Sequence, residues 1–339
     1  MTRVLVTNVD TSFGDALVSA LLAEPAVERV IGWCSPRKLD SARSSQPDPR
    51  VRYETLDVHH DRELWRALFG SAHELGIDCV IHDPISLWAG HEPSLDWHKV
   101  SDESRRLLLH CAQHPTIRHF VLRSSAEVYR VAANLPLLIR EDHPLDMAAS
   151  SARVRSLVEN DLYTCSRMSA RGLKIAVLRC GELVGAGLGS ELFDYLCAPV
   201  CLRPLGFDPM LGLLSMADAA RALTTSALRG VDGVINISGL DVLPLSRLTA
   251  LAGRRGFALP ATLLSPLYMF RAWTTGAAFH YPGHASRFHH AGILDGRHAL
   301  QTLGYEPCQR IDFAQLAADA ALHERSVRKH PLRGTDRAK

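Results

Sequence analysis

The sequence predicts an α/β protein built on a doubly wound parallel sheet, with a smaller C-terminal substrate domain interleaved into it. Three observations carry that prediction. Short apolar runs rich in β-branched residues alternate with longer helical patterns through the first half, as expected for βαβ units. The runs are apolar along their whole length, so both faces of the sheet must be covered. Beyond about Val184 the regularity lapses, and Pro and Gly become frequent between residues 186 and 209.

The strands fall at residues 3–7, 29–33, 51–56, 78–82, 119–123 and 174–179. Helices fall at residues 13–22, 62–75, 100–112 and 151–169, where apolar residues recur at three-and-four spacing. Right-handed crossovers then place the ligand crevice beyond the carboxyl ends of the strands. A further helix at 217–228 and a returning strand at 233–238 extend the sheet. The expected division is therefore residues 1–183 with 210–240 in the sheet domain and residues 184–209 with 241–323 in a substrate or lid domain. The Arg- and Lys-rich residues 324–339 are expected to form a flexible tail.

The chain has 339 residues, 47% of them hydrophobic and 22% charged, enough to bury a large core. With 38 basic and 36 acidic residues the formal net charge is +2, and no basic stripe marks a nucleic-acid partner. The eight cysteines form no CxxC pair, so reduced, buried thiols are expected rather than zinc or disulfides. Met1-Thr2-Arg3 leads straight into a strand without an apolar leader, which points to a cytoplasmic protein. The apolar stretch 259–281 is interrupted by Pro260, Pro266, Arg271 and His280 and so is too broken for a transmembrane helix. It reads as core and substrate-domain helix, with contact at a membrane surface as the lesser alternative.

Several local patterns then occur in order. They are Asp57-Val58 after Tyr53-Glu54-Thr55-Leu56, Val80-Ile81-His82, Ser124-Ser125-Ala126-Glu127-Val128-Tyr129, Leu178-Arg179 with Gly185-Ala186-Gly187, Leu205-Gly206-Phe207-Asp208-Pro209, and Leu303-Gly304-Tyr305-Glu306-Pro307. Together, over roughly residues 1 to 315, the chain resembles the extended short-chain dehydrogenase/reductase family, the NAD-dependent epimerases and dehydratases of nucleotide sugars. The resemblance implies a Rossmann-like fold, an NAD or NADP cofactor, a homodimer, adenine held by Asp57 and the Val58 amide, and Ser125 as the hydroxyl that polarises the substrate oxygen.

The departures concern chemistry. The family's phosphate loop is Thr-Gly-x-x-Gly-x-x-Gly; here Asn8, Thr11, Ser12, Phe13 and Gly14 occupy the cofactor-binding positions, and only Gly14 is a retained glycine. Asn8 tolerates the positive φ such a turn needs, whereas Thr11 crowds the diphosphate. The Asp10 carboxylate, about 5 Å from a phosphate, costs roughly 3 kcal/mol, or about a hundredfold in affinity. Cys34 replaces the ribose-binding acid, while Arg37 and Lys38 suit a 2′-phosphate, so any retained preference leans to NADP. The family's Tyr-x-x-x-Lys pair falls on Ser151 and Arg155, which cannot exchange a proton near neutrality. Tyr129 matches a position behind the site, and Tyr163 lies far down the same helix.

The histidines at 280, 284, 289, 290 and 298 suggest no metal site, because Pro282 and Gly283 are expected to break the helix between the first two. No G-x-S-x-G elbow marks a hydrolase. The expectation is a non-catalytic or strongly diverged protein of this type, with weak or lost dinucleotide binding and a small molecule in its crevice. Two alternatives stand: an active NADP-dependent reductase, epimerase or dehydratase on a nucleotide-sugar or lipid-like substrate using displaced residues, and a homodimeric interaction module.

Overall fold

The computed structural model describes residues 1–34, 48–56, 60–85, 97–168, 172–275, 279 and 281–329. Seven strands form one parallel sheet: β1 (Thr2–Val6), β2 (Val27–Cys34), β3 (Val51–Thr55), β4 (Cys79–His82), β5 (His119–Ser125), β7 (Lys174–Cys180) and β10 (Gly233–Ile237). Their order is β10-β7-β5-β4-β1-β2-β3, so the chain winds outward from β1, then reverses at β4. The topological switch point lies between β1 and β4, where ligands enter doubly wound sheets. This is the Rossmann-like architecture expected from the sequence.

Strand side chains alternate between two cores. Val4 and Val6 of β1 join α1 (Ser12–Leu22) and α6 (Met216–Arg229) through Phe13, Leu17, Leu21, Ala220 and Leu223. Leu5 faces the other way, toward α2 (Asp61–Ala67) and α3 (Trp97–Gln113), among Leu64, Leu107, Leu108 and Cys111. Helix α4 (Ala152–Ser166) packs beside α3 on that side.

The second lobe has its own core. Helix α5 (Glu191–Leu196) supplies Phe193, Tyr195 and Leu196; α8 (Ala261–Thr275) supplies Leu264 and Tyr268; α9 (Tyr281–His289) supplies Tyr281 and Phe288. Its rings interlock, Tyr195 lying 5.3 Å from Phe279 and 5.0 Å from Phe288 between centroids. Strand β8 (Val200–Pro204) pairs parallel with β12 (Arg255–Leu259), and β9 (Met210–Leu213) pairs antiparallel with β11 (Asp241–Pro244). Helix α7 (Leu245–Leu251) and helix α11 (Phe313–Lys329) complete this lobe. The short pair β6 (Leu138–Ile139) with β13 (Ile293–Leu294) ties a loop of the first half to the late chain.

Four expectations shift. Strand β9 lies outside the large sheet, because its partner β11 belongs to the second lobe, so residues 210–213 do not return to the sheet domain. Conversely α10 (Arg297–Leu303) packs back on β10 and α6, burying Ala299 and Leu303 in the sheet core rather than in the lid. Helix α11 runs through Lys329, past the expected start of the tail at residue 324. The expected break at Pro282 is also absent: α9 starts at Tyr281, and Pro282 occupies its first turn, where no amide hydrogen bond is lost.

Candidate functional site

The loop after β1 holds its turn by itself. Asn8 sits at φ 58°, a conformation glycine usually takes, and its side-chain amide donates to the Asp83 carbonyl at 2.7 Å. Thr7 Oγ1 accepts from the Asp83 amide at 3.0 Å and meets His82 Nδ1 at 3.0 Å, locking β1 to the end of β4. A Cβ at Gly14 would stand 2.5 Å from the Val9 Cα, so this glycine is required by packing alone.

The end of α1 that a dinucleotide diphosphate would approach is already partly engaged by its own residues. Such a group binds the free amides at a helix N-terminus, yet Thr11 caps α1 itself. Its hydroxyl accepts from the Gly14 amide at 3.0 Å and donates to the Asn8 carbonyl at 3.0 Å. Asp10 adds negative charge at the same end; burial, then the Asp10 charge, push the Asp15 carboxyl above its ordinary value. The turn after β7 covers the loop, since a Cβ on Gly187 would lie 3.4 Å from Ser12 Oγ. Leu183 and Leu188 from that turn join Val9 and Phe13 in the sheet core.

At the ends of β4 and β5 the crevice floor is filled. The Arg123 guanidinium lies over the Phe13 ring, 4.1 Å from its centroid, and its Nη1 donates to both Asp83 carboxylate oxygens at 3.1 and 2.9 Å. Phe13 is fully buried and Arg123 and Asp83 nearly so. A recess of about 250 Å³, part of it open to solvent, lies beside Arg123, Ser125 and Arg153, and among the described residues none of the loop from Thr7 to Gly14 lines it.

The positions of the proton-handling pair are engaged in structure. Ser151 is the N-cap of α4, its hydroxyl accepting from the Val154 amide at 3.5 Å. Arg155 donates to the carbonyls of Ala149 and Ser150 at 2.9 and 3.0 Å. Tyr129 does not replace a phenol there. It is buried, donates to Asn236 Oδ1 at 2.7 Å and accepts from Arg179 at 3.0 Å, and burial pushes its pKa up to about 12. Tyr163 accepts from Arg167 at 3.4 Å on the far part of α4.

A second polar cluster emerges between the lobes, and sequence reasoning missed most of it. Ser125 Oγ accepts from the Glu127 amide at 3.1 Å and lies 3.5 Å from Glu127 Oε1. That same oxygen accepts from Arg153 Nη2 at 2.8 Å, while Arg153 Nη1 stands 3.5 Å from Glu191. His284 pairs with Glu191, and Ser190 donates to Glu182 Oε1 at 2.6 Å. Arg287 is anchored on the carbonyls of Ala126 and Tyr129 at 3.2 and 3.1 Å. Glu127, Glu182, Glu191, His284 and Arg287 line a cleft of about 880 Å³, partly open to solvent, whose apolar walls include Leu211, Leu245 and Phe288. The second oxygen of Glu127 is buried and has no hydrogen-bond partner among the described residues.

The two central carboxyls are driven apart. Burial pushes the Glu127 carboxyl up, but the charges of Arg153, Arg287 and His284 outweigh it and hold it below its ordinary value. Burial and then the neighbouring Glu127 charge raise the Glu182 carboxyl to about 7. A carboxyl held ionised and one that titrates near neutrality thus face one cleft, an arrangement suited to accepting one proton and donating another. Arg153 lies between the two expected positions on α4, and the register of the resemblance pointed past it. His284 and Arg287 arrive from a segment far along the chain and carry no local motif.

Arg37, Lys38, Asp57 and Val58 lie outside the described residues. Among the described residues no group of three or more His, Cys, Asp or Glu is placed to hold a metal ion. All eight cysteines are free; six are buried, Cys165 is partly buried and Cys308 is exposed.

No family model matches the chain. An uncharacterized protein of Mycobacterium tuberculosis is 25% identical over 317 residues, covering 90% of this chain and 80% of that protein. Among solved structures, the dTDP-glucose 4,6-dehydratase of Bacillus anthracis in complex with NAD is 14% identical with a TM-score of 0.67, covering 96% of this chain and 97% of that one. The dTDP-glucose 4,6-dehydratase DesIV of Streptomyces venezuelae, also with NAD, is 20% identical with a TM-score of 0.67 over 97% and 98% of the two chains. The UDP-glucuronic acid 4-epimerase of Bacillus cereus with NAD is 16% identical with a TM-score of 0.64, again over 97% of this chain and 99% of its own. The chain has the fold of these NAD-dependent epimerases and dehydratases along almost its whole length.

Proposed function

We propose that this chain is a diverged protein of the NAD-dependent epimerase/dehydratase type that has lost nicotinamide hydride chemistry and retains the cleft between its lobes as a small-molecule site. The observation that carries the reading is the filled crevice: Thr11 caps the helix end, and Phe13, Arg123 and Asp83 occupy the floor. The relocated polar groups of the cleft support the second half. An unpartnered, buried carboxylate oxygen on Glu127 asks for a hydroxyl or ammonium donor from a ligand.

Purified protein incubated with NADH or NADPH and a panel of sugar nucleotides and ketones is expected to oxidise neither dinucleotide above the buffer rate. Restoring the pair as Ser151→Tyr with Arg155→Lys is expected to leave that result unchanged, because the loop still rejects the diphosphate. Turnover by the unaltered chain would overturn the reading. Thermal-shift titration with dTDP-glucose and UDP-glucuronic acid, without dinucleotide, tests the cleft: stabilisation that disappears in Glu127→Gln supports it, and equal stabilisation of both proteins contradicts it.

A second reading, an active NADP-dependent reductase, epimerase or dehydratase with displaced groups, is favoured by the opposite pKa shifts of Glu127 and Glu182. The same turnover assay decides between them.

A further inference from the structure

Helix α8 is apolar on the side that faces solvent as well as on the side that faces the core. Leu264 and Tyr268 are buried, the Tyr268 hydroxyl fastening the helix to the Leu202 backbone of β8. The outward positions are Thr262, Leu263, Pro266, Leu267, Met269, Phe270 and Trp273, and all are exposed. Trp273 is 81% accessible, Phe270 62% and Met269 60%, and the Phe270 and Trp273 rings lie 6.0 Å apart. Not one of these outward residues is charged. Beside the start of the helix, exposed Leu205 is held to Leu259 by a backbone hydrogen bond of 2.7 Å, and Phe257 on β12 is exposed too. A continuous apolar face of this kind marks an interaction surface.

The charge around it identifies the partner. Between residues 242 and 294 the sequence contains no Asp and no Glu, but it contains Arg247, Arg254, Arg255, Arg271 and Arg287, and the one acidic residue near Leu205 in the sequence, exposed Asp208, accepts from the Ser246 amide and hydroxyl at 2.9 and 2.6 Å. Arg271 reaches from α8 to the Val200 carbonyl, 3.4 Å away, so its charge sits at the junction of helix and strand pair. Arg247 and Arg255 are exposed. Two copies meeting through this face would bring like charges together, which opposes self-association. An anionic bilayer surface satisfies both features: Trp, Phe, Met and Leu enter the headgroup and acyl boundary while arginines meet lipid phosphates.

We propose that the outer face of α8, with the β8–β12 pair beside it, docks the protein on an anionic lipid bilayer surface. The helix lies in the interface and does not cross it, since no helix among the described residues is long and apolar enough to span a membrane. This inference is independent of the cleft and of its ligand.

The test is co-sedimentation of the full chain with vesicles of phosphatidylcholine and phosphatidylglycerol in equal parts, against vesicles of phosphatidylcholine alone. The chain is expected to pellet with the anionic vesicles and to be released by high salt. Phe270→Ser with Trp273→Ser, which alter only exposed side chains, is expected to weaken binding at least about tenfold. Arg247→Gln and Arg255→Gln are expected to weaken it roughly fivefold for each charge removed. Three results would overturn the proposal: no binding to anionic vesicles at low salt, binding indifferent to both sets of substitutions, or self-association in sedimentation velocity that the Phe270 and Trp273 changes abolish, which would assign the face to a second copy.

Discussion

Gly14 and Glu182 show how differently single residues can be constrained here. Gly14 looks like the remnant of a cofactor loop, but the backbone of Asn8 and Val9 leaves no room for a Cβ whatever the ligand. Gly14→Ala is expected to destabilise the protein by roughly 1–3 kcal/mol, at the upper end because backbone atoms must move; chemical denaturation measures it. Glu182 carries a pH signature. Its carboxyl is raised to about 7 by burial and the Glu127 charge, whereas an unfolded chain releases that proton near the ordinary glutamate value of 4.5. The folded state therefore holds more protons between those values, and its stability falls as pH rises from about 5 to 7, then levels. Thermal melts across that range should show the slope, and Glu182→Gln should flatten it. An unchanged slope would place the titration elsewhere.

Elements differ in how legible they were. The strands of the large sheet could be read because both faces are buried, leaving β1, β4 and β5 as nearly unbroken apolar runs. The loop after β1 could be read as departing from the phosphate-loop pattern because Thr11 stands where that pattern has glycine. What took its place could not be read: Arg123 lies inside an apparently ordinary strand, and only the packing of β5 on α1 reveals that it covers Phe13 and meets Asp83. The cleft was equally hidden, since Glu127, Arg153, Glu182 and His284 come from four separated segments. Helix breakers misled at Pro282, where a first-turn position made the proline harmless. The Arg123–Asp83 pair is predicted to be structural. Asp83→Asn leaves a buried guanidinium without its counter-charge and should cost about 3–5 kcal/mol, measurable as a lowered denaturation midpoint.

At the scale of the whole molecule, the two lobes retain the architecture of dinucleotide-dependent enzymes while the groups between them have been redistributed. In the sheet lobe, Thr11 caps α1 and the Arg123 guanidinium lies over Phe13 against Asp83. The interlobe cleft has gathered carboxyls, guanidiniums and an imidazole onto a different centre, about Ser125 and Glu127. The second lobe presents an uncharged, apolar helical face on a stretch of chain that carries arginines and no acidic residue. Arg153, between Ser151 and Arg155 in the chain, pairs with Glu127 at 2.8 Å and so ties the start of α4 to the cleft.

The most direct test of this account is isothermal titration of the purified chain with NADPH and with NADP and NAD. A crevice closed by Thr11, Phe13, Arg123 and Asp83 predicts no saturable heat for any of them up to about 1 mM. A stoichiometric isotherm with a dissociation constant near 10 µM, roughly 7 kcal/mol of binding free energy, would contradict it.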